Sequence, residues 1–219
     1  MSERTEALLR QAAAGDEALL AALRARVAAG EPPAYVAGFL EFAGRRFRSD
    51  PRAFITDPET LWLTRAAIDQ GQRLERQLGR PPCVMEFGVG AGTLAITIKL
   101  AEAAWSVAGV DIDPPALELA AENAAMHGVS IDLLPGEYLS GWPAQRSPPD
   151  LIFGDPPWGD AGDLYEPERD AHYYEQMPPA SAFPRAGGRD LGGAGAECPG
   201  PHCAPCTKPV GSRFWRHGE

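Results

Sequence analysis

Residues 84–98 read VMEFGVGAGTLAITI. A short apolar run, Val84 to Phe87, meets three alternating glycines and then a stretch of helix formers. This order predicts a buried strand, a tight turn and a helix. The same alternation continues on the C-terminal side. Strands are expected at residues 83–87, 106–111, 131–134 and 151–153, with helices at 93–104 and 115–127. Strand and helix in strict turn imply a parallel sheet covered by helices, a doubly wound, Rossmann-like α/β fold. In such a fold, ligands sit beyond the carboxyl ends of the strands.

Upstream, residues 3–29 are rich in Ala, Leu, Glu and Arg. Leu8, Leu9, Leu19, Leu20, Leu23 and Val27 fall at helical spacing, and the pattern breaks near Gly15 and Asp16. Two short helices are expected, stopped by Gly30, Pro32 and Pro33. EFAGRRFRSD at residues 41–50 reads as a hairpin around Gly44. Asp57-Pro58-Glu59 then has the form of a helix start: a capping Asp, Pro at the first helical position and an acid at the positive end of the dipole. The helix it opens runs over residues 61–78 and ends at Gly79.

Residues 185–219 break the pattern. They hold eight Gly, four Pro and three Cys, and their large apolar side chains are Leu191, Val210, Phe214 and Trp215. That composition cannot complete a buried sheet, so an irregular tail is expected. The chain thus divides into residues 1–52, helices and hairpin; 53–184, the α/β unit; and 185–219, the tail.

Composition narrows the function classes. The chain has 219 residues, 44% of them hydrophobic, and a net charge of −10. This is enough apolar material for a sizeable core, and the charge argues against a broad basic face for nucleic acid. No apolar run is long enough to span a bilayer, and MSERTEALLR lacks the apolar core of a signal peptide, so a cytoplasmic protein without membrane association is expected. Four cysteines are too few and too clustered for a secreted disulfide framework.

The loop at residues 86–92 is the candidate donor site. Gly88 and Gly90 let the backbone turn tightly and approach a ligand, while Gly92 permits close packing at the helix start. About twenty residues on, Asp111 ends the next strand, where a carboxylate can accept hydrogen bonds from both ribose hydroxyls. A nicotinamide-binding site and an α/β unit without nucleotide are the other readings of such a loop. Glu86, ahead of the first glycine, suits a ligand with an amino group better than one with a pyrophosphate. Gly136-Glu137 follows the third strand. Glu137 either contacts an adenine amine there or is a solvated loop acid. The ligand expected is S-adenosylmethionine.

The candidate acceptor site is Gly154-Asp155-Pro156-Pro157-Trp158, directly after the fourth strand. Consecutive prolines stiffen the backbone, leaving the Asp155 carboxylate and the Pro156 carbonyl as acceptors beside the flat face of Trp158. An amide or aromatic amine presents two N–H groups. Holding both favours a more tetrahedral nitrogen and aims its lone pair at a sulfonium methyl, and Trp158 adds a cation–π contact. Donor loop and proline motif together predict a class I S-adenosylmethionine-dependent N-methyltransferase.

At this point the chain resembles the HemK/PrmC family of protein-glutamine methyltransferases. The resemblance covers residues 30–182 and rests on GEPPAYVAGFLEFAGRRFRSD (30–50), DPET (57–60), EFGVGAG (86–92), VDIDPPALELAAENA (110–124) and DPPW (155–158). It implies a helical N-terminal domain and hairpin that recognise substrate, donor contacts at Glu86, Gly88, Gly90 and Asp111, and acceptor contacts at Asp155, Pro156 and Trp158. It further implies transfer to a protein glutamine, with a peptide-chain release factor as partner. Asp155 stands where the family usually has Asn, Trp158 where it has Tyr, and Asp57 where it has Arg. DPPW motifs also resemble those of enzymes that methylate adenine amines in DNA or RNA, which is the alternative reading. The family continues past the motif with a helix and roughly three further strands. Residues 185–219 instead have the bias that a reading-frame shift in a GC-rich gene would produce. A truncated, non-catalytic remnant with an incomplete sheet is therefore a third reading.

Cys198, Cys203 and Cys206 beside His202 have a C-x4-C-x2-C spacing, but a second Cys pair is missing and no metal is assigned. Residues 160–174 read either as a flap over the acceptor or as a solvated loop. His127 and His172 read as solvent-facing or helix-end residues.

Overall fold

The computed structural model describes residues 1–155 and 176–178. Pro156, Pro157, Trp158, the 160–174 segment, His172 and the Cys198/Cys203/Cys206 group lie outside the described residues.

The α/β unit contains four parallel strands, β3 (Cys83–Phe87), β4 (Ser106–Asp111), β5 (Asp132–Pro135) and β6 (Leu151–Gly154); β1 and β2 belong to the hairpin upstream. Their order is β5-β4-β3-β6. The chain steps outward from β3 to β4 and β5, then returns to β6 on the other side of β3. The order therefore reverses at β3, the place where sheets of this kind form a ligand crevice beyond the strand ends.

Side chains alternate across this sheet, as strand geometry requires. Val84, Val107 and Phe153 face the helices α4 (Leu61–Leu78), α5 (Thr93–Ala101) and α6 (Pro114–Met126), packing with Ala67, Leu94, Ile98 and Ala124. Met85, Ala108 and Val110 face the other way, with Phe87, Leu134 and Trp142 against them. Glu86 falls on the helix side, and this determines its role below.

The register of β6 is set at the end of the sheet away from the crevice. Arg80 donates from both terminal nitrogens to the two Asp150 oxygens, at 2.9 and 2.8 Å. Asp150 also accepts the Cys83 N–H at 2.7 Å and returns its own N–H to the Cys83 carbonyl at 2.8 Å.

Helix α5 is shorter than the sequence suggests, ending at Ala101 rather than 104. Its end is closed by Lys99, whose ammonium donates to the Ala103 and Trp105 carbonyls at 2.8 and 2.7 Å. The early stop lets the chain turn and drive Trp105 into the core, where it is 1% exposed. Its indole N–H donates to Glu75 at 3.0 Å, and its ring lies over Gly71 of α4. A Cβ at Gly71 would come within 2.2 Å of that ring. Overpacking against a rigid indole costs up to ~3 kcal/mol, while Gly→Ala in a helix returns ~1. Gly71→Ala should therefore lose about 2 kcal/mol, read as a lower denaturant midpoint at unchanged slope. An unchanged midpoint would show that Trp105 has room to move.

Upstream, α1 (Glu3–Ala13) and α2 (Glu17–Ala28) are capped by Ser2 and Asp16, which accept the Thr5 and Leu19 N–H groups. Leu9, Ala13, Leu20 and Leu23 bury one another, whereas Leu19 faces solvent. A short α3 (Pro33–Ala37) follows where the sequence suggested only a stop. Pro33 at the first position presets helical φ instead of preventing it, and Gly38 ends the helix at φ 79°. The hairpin pairs β1 (Phe39–Phe42) with β2 (Arg45–Arg48) antiparallel, and Leu40, Phe42 and Phe47 join the main core. Asp57 accepts the Glu59 N–H, but the turn it opens, Pro58–Thr60, is a 3-10 turn leading into α4. None of the described helices is long and apolar enough to cross a membrane.

Candidate functional site

The sheet register aligns the strand tips. Phe87 pairs with Val110 on one side and Gly154 on the other, and Asp111 pairs with Pro135. The residues that follow these tips are Gly88, Ile112, Gly136 and Asp155. The sequence-predicted groups within the described residues thus gather along one edge of the sheet, around the crevice at β3.

The glycine turn has the conformation its composition suggests. Gly88, Gly90 and Gly92 have φ of 65°, 52° and 79°, the left-handed region that side chains disfavour. A Cβ on Gly88 or Gly90 would meet nothing within 4 Å, so these two carry bare backbone toward open space. Gly92 differs: a Cβ there would lie 2.9 Å from Ile96 and 3.1 Å from Ala120, so its role is to let α5 and α6 approach.

Asp111, 8% exposed, accepts the Gly90 N–H at 2.8 Å and the Asp113 N–H at 3.0 Å, one on each oxygen. A carboxylate has about four lone-pair sites, so each oxygen keeps capacity for a ligand hydroxyl. Glu137 is exposed just beyond β5, its N–H donating to the Ser140 hydroxyl at 2.9 Å. Gly136, next to it, donates to the Asp111 carbonyl at 2.9 Å and thereby joins this rim to β4.

A family model for ribosomal protein L11 methyltransferase (PrmA) matches residues 66–153, the strands and helices around this crevice. The release factor glutamine methyltransferase of Deinococcus radiodurans is 37% identical over 133 residues, covering 61% of this chain and 45% of that protein. Its counterpart in Neisseria gonorrhoeae is 36% identical over 149 residues, 68% of this chain and 52% of that protein. Over its α/β unit the chain is similar to these methyltransferases. It spans about half the length of the curated relatives it matches. The 4-amino-L-phenylalanine/4-methylamino-L-phenylalanine methyltransferase of Streptomyces pristinaespiralis is 30% identical over 128 residues, 58% of this chain and 43% of that protein.

In this α/β fold Glu86 has a structural role of its own. It is 3% exposed on the helix side of β3 and accepts the Ala95 N–H at 2.8 Å, in the first turn of α5. Gly92, at the N-cap of α5, has no side chain, so a residue from the strand supplies the missing acceptor. Burial pushes the Glu86 carboxyl well above the ordinary carboxylate range, and the charges of Asp111 and Asp155 push the same way, against the Ala95 N–H. Desolvation and the Asp57 carboxylate likewise raise Asp155. Glu86 thus lies in the field of two further carboxylates, a repulsion that a cationic ligand would relieve. Bare glycine backbone, a strand-tip carboxylate with spare lone pairs and this negative field fit a sulfonium nucleoside that carries an amino-acid group.

Two features of this edge were not singled out from the sequence. Tyr138 has φ 50°, unusual for a side-chain-bearing residue, and its half-exposed ring lies 5.8 Å from that of Phe87. Strain beside a ligand-binding edge is a common signature of function, but it is not visible in residue type. Asn123 is wholly buried behind the glycine turn. His127, expected to be solvent-facing or at a helix end, caps the C-terminus of α6, with its ring 4.6 Å from Phe47 and its Nε2 2.9 Å from the Arg46 carbonyl oxygen.

Proposed function

We propose that this chain binds S-adenosylmethionine at the β3 crevice and transfers its methyl group to a side-chain amide nitrogen, that of a glutamine in a release-factor-like protein. When bound, S-adenosylmethionine supplies an electrophilic methyl group on a sulfonium. Gly88 and Gly90 would line it with backbone, Asp111 would accept its ribose hydroxyls, Glu86 would face its ammonium, and Glu137 would reach its adenine side. Gly92 would shape the loop through helix packing. On the acceptor side, Asp155 would hold an N–H of the amide, with the Pro156 carbonyl and the Trp158 face assigned from the sequence motif. Residues 1–52 would recognise the protein substrate and residues 53–184 carry the chemistry, in the cytoplasm.

One observation carries this reading. Gly154 pairs with Phe87, so Asp155 leaves β6 level with Gly88, across the crevice from Asp111. The groups proposed for donor and acceptor would thereby share one opening, which is what in-line transfer needs.

A second reading, an exocyclic or aromatic amine acceptor such as adenine in DNA or RNA, is favoured by the carboxylate at 155, which accepts hydrogen bonds but cannot donate one. Calorimetry with S-adenosylmethionine, followed by labelled-methyl incorporation into release factor or adenine-containing DNA or RNA, tests both. Label in a release-factor glutamine is the expected result. Label in nucleic acid would select the second reading, and absence of donor binding would overturn both.

A further inference from the structure

We infer that Asn123 is a positioning residue that ties the donor loop to the hairpin, so that donor binding tightens both. This rests on the donor-site reading above. Asn123 lies in α6 and is 0% exposed. Its Oδ1 accepts the Arg48 N–H at 2.7 Å, and its Nδ2 donates to the Arg48 carbonyl at 3.2 Å. The side-chain amide therefore pairs with both backbone groups of Arg48 in β2 as a neighbouring strand residue would. The same Nδ2 donates to the Ala91 carbonyl at 2.9 Å, between Gly90 and Gly92.

The donor loop is thus held from two directions. Asp111 takes the Gly90 N–H on the β4 side, and Asn123 takes the next carbonyl on the α6 side. Asn suits the position because it needs an acceptor and a donor at once. Asp would set a carboxylate against two carbonyl oxygens, and an apolar residue would leave Arg48 and Ala91 groups buried without partners. Beside it, Glu122 accepts from Arg52 at 2.7 and 3.0 Å and from Arg48 at 3.2 Å, holding the same strand end from the surface. Order gained at the glycine turn is transmitted through one amide to the last residue of the hairpin.

Hydrogen–deuterium exchange of the full chain, with and without S-adenosylmethionine, tests this. In the parent protein the donor should slow exchange several-fold at residues 88–92 and also at residues 45–50. In Asn123→Ala only the first effect should survive, with donor affinity about tenfold weaker. Gly71→Ala, which acts at Trp105 instead, should keep both effects despite its lower stability. Should Asn123→Ala fail to fold, Asn123→Ser keeps a hydroxyl too short to span both partners and should show the same uncoupling. Protection at 88–92 without any at 45–50 in the parent, or coupling that persists in the Asn123 variants, would overturn the positioning role and leave the donor site standing. No protection at 88–92 in the parent would overturn the donor site and this role together.

Discussion

Asp155→Ala is expected to cut methyl transfer by about 10²–10³-fold while leaving the donor dissociation constant within about twofold of the parent value. The reason is positional. Asp155 leaves β6 on the opposite side of β3 from Asp111, so on the proposed reading its loss removes an acceptor for the substrate's N–H and leaves the grip on the donor intact. The pH profile should carry the same signature. On the proposed reading Asp155 works as the carboxylate, and desolvation together with Asp57 raises its pKa. Activity should therefore fall as pH drops through that raised value, at a higher pH than an unperturbed aspartate would impose, and Asp57→Asn should move the fall toward lower pH. Rate–pH profiles of the two proteins check this, and a large loss of donor affinity in Asp155→Ala would assign the residue to the donor instead.

The second large effect is expected at Asp111. Its carboxylate anchors the Gly90 and Asp113 N–H groups and, on the proposed reading, the donor hydroxyls as well. Hydrogen bonds to a charged group contribute ~1.5–3 kcal/mol each, so Asp111→Ala should weaken donor binding by at least ~100-fold. Asp111→Asn retains one side-chain oxygen and should fall between the two. Titration calorimetry on folded protein measures it, and an unaltered affinity would remove Asp111 from the donor site.

Much of this site was legible in the sequence because its determinants are local. Strand, glycine turn and helix follow one another within residues 83–101, and Asp111 declares itself by ending the next strand. The left-handed φ of Gly88 and Gly90 is a property only glycine supplies cheaply, so residue type alone revealed it. What escaped notice depends on distance along the chain. Asn123 finds Arg48 75 residues away, and nothing in its helical neighbourhood distinguishes it from a solvated amide. His127 meets the Arg46 carbonyl 81 residues upstream for the same reason. Glu86 was read for its charge toward a ligand. Its cap on α5 required knowing that its side chain falls on the helix face of β3. The short α3 was missed because two prolines signal a break, yet proline at a first helical position prescribes the very dihedral a helix needs.

The clamp of Arg80, Cys83 and Asp150 has a bearing on the chemistry that its location conceals. A strand advances ~3.3 Å per residue, so it behaves as a ruler whose zero mark is wherever it is pinned. Here the zero is at the sheet's floor, and the reading at the roof five residues later is Asp155. A slip of one division would present Gly154 in its place and turn every side chain of β6 to the opposite face. On the proposed reading, the calibration of the acceptor group is thus entrusted to an arginine and a carboxylate that never meet the reactants, and that end of the molecule is as much a part of its accuracy as the crevice itself.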